Sequence, residues 1–249
     1  KTWFYHDHIT PKKSIDIDYL KYIEKKYKIN LWKIVYNDRI FFKYNDFYKF
    51  TTDEILSIVE QSCRLFENVL DEVKPDFLLT AVTNSGRMHI FYEICKARGI
   101  KVLMLIGSRL GYRCMISEEA DKIDYIETAD SSKIQRTFEE LQNYLKGHDS
   151  FKEAAEYSKA FHKSKSQMLK AAIVFFLFYK NTNLKTHYTY YGRTKLRAFF
   201  NAISGVIKAK YRESFINKNL TYVIENEPFI FFPLITEPER GLLIAAPFH

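Results

Sequence analysis

Between Thr51 and Val73 apolar and polar residues alternate at the period of a helix. Ile55, Ile58, Val59, Cys63, Phe66, Val69, Leu70 and Val73 form one stripe, about five turns long at 3.6 residues per turn. Thr51 and Glu54 head it with the pattern in which each side chain satisfies the other residue's backbone N–H. Lys74-Pro75 ends it, because proline disfavours helical geometry in the residue before it. A nearly continuous apolar run follows at 77–82, then the polar turn Thr83-Asn84-Ser85-Gly86-Arg87. A helical segment at 88–98, capped by Gly99, leads into a second apolar run at 101–106. Such runs are typical of parallel strands whose two faces are covered by helices. The order predicts a β-α-β unit with a right-handed crossover.

Other stretches also carry helical spacing. Residues 14–29 predict a helix capped by Ser14, with Ile15, Tyr19, Tyr22, Ile23 and Tyr27 on one face. Further pieces lie at 133–146, 151–163 and 168–179, and the apolar run 171–179 reads as a buried helix. That run is far shorter than the roughly 20 residues needed to span a bilayer. Residues 193–216 predict a basic helix bearing Arg193, Lys195, Arg197, Lys208, Lys210 and Arg212. Leu196, Phe199, Phe200, Ile203, Val206 and Ile207 should turn toward a core, leaving the charges mostly solvated. Residues 31–36 fit no single element, 114–116 are a short apolar run, 117–132 read as a polar connection, and 229–234 are a strand candidate ending in Pro233-Leu234.

Composition narrows the class. The chain of 249 residues is 47% apolar, with 18 Tyr and 21 Phe against 8 Gly and 6 Pro. That balance belongs to a globular chain, not a disordered one. It opens on Lys1 without signal-peptide zones and stops at His249 without a closing element, so both ends read as cuts. Cys63, Cys95 and Cys114 have no CxxC spacing, which suits a reducing compartment. His6-Asp7-His8 lacks companion ligands and reads as a surface segment, so neither a metal nor another cofactor is expected. The net charge of +8 favours anionic partners without choosing among them. The basic helix could meet RNA or anionic lipid, but the aromatics lack the spacing of an RNA-binding sheet. No nucleic acid is expected.

Candidate chemistry sits after the two predicted strands, where α/β sheets take ligands. Asn84, Ser85, Gly86 and Arg87, with His89 inside the following helix, offer an amide, a hydroxyl, backbone N–H groups and a guanidinium. That set suits a sugar hydroxyl or a phosphate, and Ser85 is equally an ordinary helix cap. Ser108, Arg109, Tyr112 and Arg113 follow the second strand, and two arginines can grip a phosphate or carboxylate. The alternative is surface arginine. Neither GxGxxG nor GxxxxGK[ST] occurs, so dinucleotide and P-loop readings have no support.

Phe231-Phe232-Pro233-Leu234 followed by Glu237-Pro238-Glu239 resembles a junction found in capsular and surface-polysaccharide biosynthesis proteins. Leu31-Trp32, Asp38-Arg39, residues 71–76, Tyr92-Glu93-Ile94 and residues 97–100 resemble the same family in the same order. The resemblance implies a GT-B-type glycosyltransferase with two Rossmann-like domains. The first, residues 1–220, would be a parallel sheet flanked by helices on the acceptor side, with a helical extension. The second, donor-side domain would begin at 221–249. Its donor would be a CMP-, UDP- or GDP-linked sugar, and its acceptor a glycan or lipid-linked glycan. It would act in the cytoplasm, with peripheral contact at the inner membrane face. Arg109 and Arg113 would stabilise the leaving phosphate; Asn84, Ser85 and His89 would position the acceptor; Glu237, Glu239 and Arg240 would face the cleft. Many relatives have His where this chain has Ile235, which implies a different donor or an inactive member. The alternative is a non-catalytic carbohydrate- or membrane-surface-binding subunit of polysaccharide assembly.

Overall fold

A computed structural model describes residues 1–10, 14–36, 38–42, 45–107, 114–120, 122, 124, 137–147, 150–161, 164–180 and 182–220. The protein is α/β, with a three-stranded sheet among the described residues. In chain order the helices are α1 (Ile17–Tyr27), α2 (Leu31–Tyr36), α3 (Arg39–Phe42), α4 (Thr52–Val73), α5 (Gly86–Ala97), α6 (Phe138–Gly147), α7 (Ser150–Phe161), α8 (Lys165–Leu177) and α9 (Lys195–Asn219). The strands are β1 (Phe77–Ala81), β2 (Lys101–Gly107) and β3 (Cys114–Ser117). The chain divides into two compact units, one of residues 1–22, 30–65 and 181–249, the other of residues 23–29 and 66–180.

In the first unit the core gathers Ile9, Ile58 and Tyr188, with Tyr5, Ile40, Phe41, Phe50, Leu65 and Tyr191 packed around them. Tyr188 stacks on Phe41 at 6.1 Å and meets Phe50 edge-on at 6.1 Å. The Tyr5 hydroxyl bonds Ser62 Oγ at 2.7 Å, so the half-buried ring keeps its polar end satisfied. Helix α4 starts with the expected reciprocal cap. Thr51 N donates to Glu54 Oε2 at 2.9 Å, and Glu54 N donates to Thr51 Oγ1 at 3.2 Å. Ile55, Ile58, Val59, Cys63, Phe66 and Leu70 of its stripe are buried, while Val73 is exposed at the end.

Helix α1 is capped by Asp16, not Ser14: Asp16 Oδ1 accepts from Tyr19 N at 2.9 Å. Tertiary contacts decide this, since Asp16 N donates to Glu60 Oε2 and Arg64 Nη2 to Asp16 Oδ2, both at 2.9 Å. Leu20, Ile23 and Tyr27 are buried, while Tyr22 is exposed. Residues 31–36 are helical as α2, with Asn30 Oδ1 accepting from Lys33 N at 2.8 Å.

In the second unit β1 and β2 pair in parallel from Phe77↔Lys101 to Ala81↔Leu105. The expected β-α-β unit is present, with α5 as its crossover. Tyr92 of α5 packs with Val102 and Met104 of β2. Gly99 takes φ +73, and Ile100 N and Gly99 N donate to the carbonyls of Cys95 and Lys96, both at 3.0 Å. These two bonds close the last turn in the left-handed cap that glycine accepts most cheaply. The sheet is mixed, however, because β3 runs antiparallel to β2. Only six residues separate the two strands, whereas a parallel return needs a crossover of a dozen or more. The sheet is also open. Phe77, Leu79, Leu105 and Ile116 are exposed, so the expected helical cover on both faces is not found among the described residues. Among the described residues a β-α-β unit is present, but a full Rossmann-like sheet is not.

Two helical readings reverse in burial. Residues Ile173, Val174 and Leu177 of α8, and Phe178 after it, are exposed, not buried. The large apolar residues of α9 are exposed too. Periodicity shows that a helix has an apolar face; it does not supply the surface that covers it.

Candidate functional site

The turn that joins β1 to α5 brings most of the describable candidates together. Thr83 is buried at the end of β1, Asn84 is exposed, Ser85 and Arg87 are half-buried, and Gly86 is buried. Ser85 occupies the N-cap position with extended geometry, yet its hydroxyl makes no capping hydrogen bond. The side chain is therefore not committed to the helix. The first turn of α5 contains no acidic residue, so the positive end of the helix dipole is not neutralised locally.

Beneath the turn lies a hydroxyl–imidazole–carboxylate chain. His89 Nδ1 is 3.0 Å from Thr83 Oγ1, and Nε2 is 3.3 Å from Glu93 Oε1. His89 and Thr83 are buried, while Glu93 reaches the surface. The His89 ring stacks on Tyr92 at 5.5 Å, and Tyr92 donates to the Glu118 carbonyl at 3.3 Å. Burial raises the Tyr92 phenol above its usual pKa, which keeps it a neutral donor. In a neutral ring that donates Nε2–H to Glu93, Nδ1 would accept the Thr83 hydroxyl proton. Thr83, Glu93 and Tyr92 hold the ring from three sides.

Sequence spacing named His89 but not its partners Thr83 and Glu93. The available signal was His89 and Glu93 at i and i+4 on a helix, the spacing at which side chains meet. Burial also changes the role of His89. It does not present its ring to solvent, so any effect on a ligand would have to pass through its neighbours. Ser108, Arg109, Tyr112 and Arg113 lie outside the described residues, as do Glu237, Glu239, Arg240 and the strand candidate 229–234.

A second polar cluster pins the segment after β3 to α5. Glu119 holds Lys96 Nζ at 2.5 Å and Lys122 Nζ at 2.6 Å. Hydrogen bonds from Lys122 and Lys96 bring the Glu119 carboxyl down to about 2. Arg98, just past α5, donates to Asp71 Oδ1 at 2.5 Å and to the Tyr27 hydroxyl at 2.9 Å. These pairs set the position of α5, and hence of the turn at its other end. The N-terminal His6-Asp7-His8 segment is less exposed than expected: His6 is half-buried, with its ring 4.8 Å from His187 and 5.4 Å from Tyr188. Among the described residues no group of three or more His, Cys, Asp or Glu is placed to hold a metal ion. No described helix is long and apolar enough to cross a membrane.

Comparison with known protein families, with curated proteins and with solved structures gives no match.

Proposed function

We propose that this protein is a glycosyltransferase-like member of surface or capsular polysaccharide assembly, with this part of the chain on the acceptor side. The observation that supports it most is the β1–α5 turn. Asn84, Ser85 and Arg87 stand at the carboxyl end of a parallel strand pair, where open α/β sheets take ligands. The Asn84 amide and Ser85 hydroxyl suit sugar hydroxyls, and Arg87 with the start of α5 suits an anionic group. The resemblance of 231–239 to a polysaccharide-biosynthesis junction points to the same chemistry.

In such a transfer the acceptor oxygen bonds the anomeric carbon as that carbon's bond to the donor diphosphate breaks. The diphosphate leaves with the electron pair, and the acceptor proton passes to a base. Stabilising the leaving charge and aligning the hydroxyl are the protein's main contributions. Arg109 and Arg113 are assigned the first task. Asn84 and Ser85 are assigned the second, with His89 as a positioning residue that holds the strand end through Thr83. Glu237, Glu239 and Arg240 are assigned to the donor-side cleft, and most donor contacts to a domain beginning near Pro228. The reaction is placed in the cytoplasm and calls on no metal.

One observation favours a second reading, a non-catalytic carbohydrate-binding subunit: the turn's imidazole is buried and offers no solvent-facing base. The deciding experiment is calorimetric titration of the whole protein with CMP-, UDP- and GDP-sugars and with free oligosaccharides, followed by a nucleotide-release assay. Binding of one nucleotide sugar, with acceptor-dependent nucleotide release lost in Asn84→Ala, supports the transferase. Oligosaccharide binding without release moves the assignment to the subunit, and no binding at all rejects both.

A further inference from the structure

Helix α9 carries a polar groove on the side away from its large apolar residues. Asn201, Gly205, Lys208 and Arg212 follow one another at helical spacing, so they project within one arc of about 60°. With Tyr211 at the margin of that arc and Asp46 from the segment before α4, they line a groove of about 650 Å³. Small-molecule sites fall between roughly 300 and 1,000 Å³. One end of the groove is fixed by contacts around Phe47. Asn45 Oδ1 accepts from Phe47 N at 3.2 Å and from Tyr48 N at 3.1 Å, which sets the turn that presents Asp46. Arg197 Nη1 donates to the Phe47 carbonyl at 3.1 Å, Thr194 Oγ1 accepts from Arg197 N, and the Arg193 guanidinium lies 5.2 Å from the Phe47 ring centre. That turn is thus tied to the start of α9, so Asp46 stands toward the Asn201 end and Lys208 and Arg212 form the other.

Two observations point to a ligand. Gly205 lies mid-helix, where glycine is less favourable than alanine, yet a Cβ there would meet nothing within 4 Å. Packing within the described residues does not call for glycine; its effect is to keep the groove floor at backbone level, as close approach of a ligand needs. Among the described residues, the side chains of Asp46, Asn201, Lys208, Tyr211 and Arg212 also make no hydrogen bond or ion pair, although three of them are charged. The chemistry divides along the groove. Asp46 and Asn201 supply the acceptors and donors that suit hydroxyl groups. One turn apart at the other end, the Arg212 fork can take two oxygens of an anion and the Lys208 ammonium a third. Asn201 and Arg212 are about 16 Å apart along the helix axis, room for a monosaccharide bearing a phosphate. Glu213, the one acidic residue of α9, projects about 100° from Arg212 and stands off the groove. A carboxylate would be satisfied by Arg212 alone, and a polymer with phosphate at every residue would place one against Asp46.

We propose that this groove binds a sugar phosphate, with Lys208 and Arg212 on the phosphate and Asp46 and Asn201 on the sugar hydroxyl groups. The site lies in the first unit and shares no residue with the proposed sugar transfer, so the two readings fail separately. The test is calorimetric titration of the full chain with glucose 1-phosphate, and with inorganic phosphate and glucose as its two halves. The expected result is binding of glucose 1-phosphate at least about tenfold tighter than of either half, because the two ends of the groove are engaged by one molecule. Arg212→Gln should weaken that binding about tenfold by removing a charge-assisted pair. Gly205→Leu should abolish it by filling the groove, while the melting temperature rises by about 2–4 °C because the helix loses a glycine. Equal binding of phosphate and glucose 1-phosphate, binding that survives Gly205→Leu, or no binding of either overturns the proposal. A fall in melting temperature in Gly205→Leu overturns it too, since the glycine would then serve the fold. So does binding lost in Asn84→Ala but kept in Arg212→Gln, which would move the phosphate to the β1–α5 turn.

Discussion

Gly192 is where the chain turns into α9, and replacing it with alanine should loosen that junction. Its φ of +72 lies in the left-handed region, where an L residue costs roughly 1–2 kcal/mol. A Cβ there would stand 2.2 Å from the Phe47 carbonyl oxygen and 2.9 Å from its carbon. Both are backbone atoms, so relief needs a shift of about 1 Å to restore ordinary van der Waals contact. The carbonyl that must move accepts from Arg197 Nη1, an exposed charge-assisted bond worth about 1 kcal/mol once solvent screening is allowed for. Alanine recovers about 0.4–1 kcal/mol by restricting the unfolded chain. The net expectation for Gly192→Ala is a loss of about 2 kcal/mol. Gly99→Ala is the internal control: it has the same sign of φ at +73 but nothing within 4 Å of the added carbon. It should lose only the conformational part, about 1 kcal/mol. Urea unfolding followed by circular dichroism measures both. If Gly192→Ala loses no more than Gly99→Ala, the close approach to Phe47 does not carry the junction, and the account of how α9 is held is wrong.

Three further expectations follow from single contacts. Thr51→Ala removes one half of the reciprocal cap of α4 and should cost about 1 kcal/mol in urea unfolding, with Thr51→Ser restoring most of it. Glu119 has a folded pKa near 2, below the value of 4.5 from which it is lowered, so its contribution is present above about pH 4.5 and fades as pH falls toward 2. Its lysine partners are half or more exposed, which limits that contribution to about 1 kcal/mol; Glu119→Gln should flatten the acid limb of stability by that amount, and an unchanged acid profile would remove the cluster from the account. Thr83→Val keeps the shape but removes the hydroxyl beside His89 Nδ1, which should cost about 1–3 kcal/mol in thermal unfolding. Substitution of both Thr83 and His89 should cost less than the sum of the two singles.

What could be read from the sequence was what local geometry decides. The Thr51–Glu54 box, the Pro75 stop and the Gly99 cap each depend on residues within a few positions, and each stands in the structure. The β-α-β unit was legible because two apolar runs flanked a short helical segment. The cap of α1 was not, because Ser14 and Asp16 are equally good cap residues and the choice fell to Glu60 and Arg64, far along the chain. The direction of β3 depended on how little chain separates it from β2. At the candidate site the turn residues Asn84 to Arg87 were visible as a pattern. The Thr83–His89–Glu93 chain was not, since it requires the strand end to be set beside the second turn of a helix. The outward stripes of α8 and α9 were misjudged for another reason: a pattern of apolar positions is the same whether a core or an external surface covers it.

The thiols distribute themselves usefully between the two units. Cys63 lies in the first unit and Cys95 in the second, both buried, while Cys114 on β3 is exposed. Burial pushes the Cys95 thiol up to about 11, so at neutral pH only about one molecule in ten thousand carries the reactive thiolate there. A thiol-specific reagent should therefore mark Cys114 at once and reach the other two only when their surroundings open. With Cys114 replaced by serine, the labelling rates of Cys63 and Cys95 become separate clocks, one for the opening of each unit. Their ratio reports whether the two open as one body or independently, with no probe added to the chain.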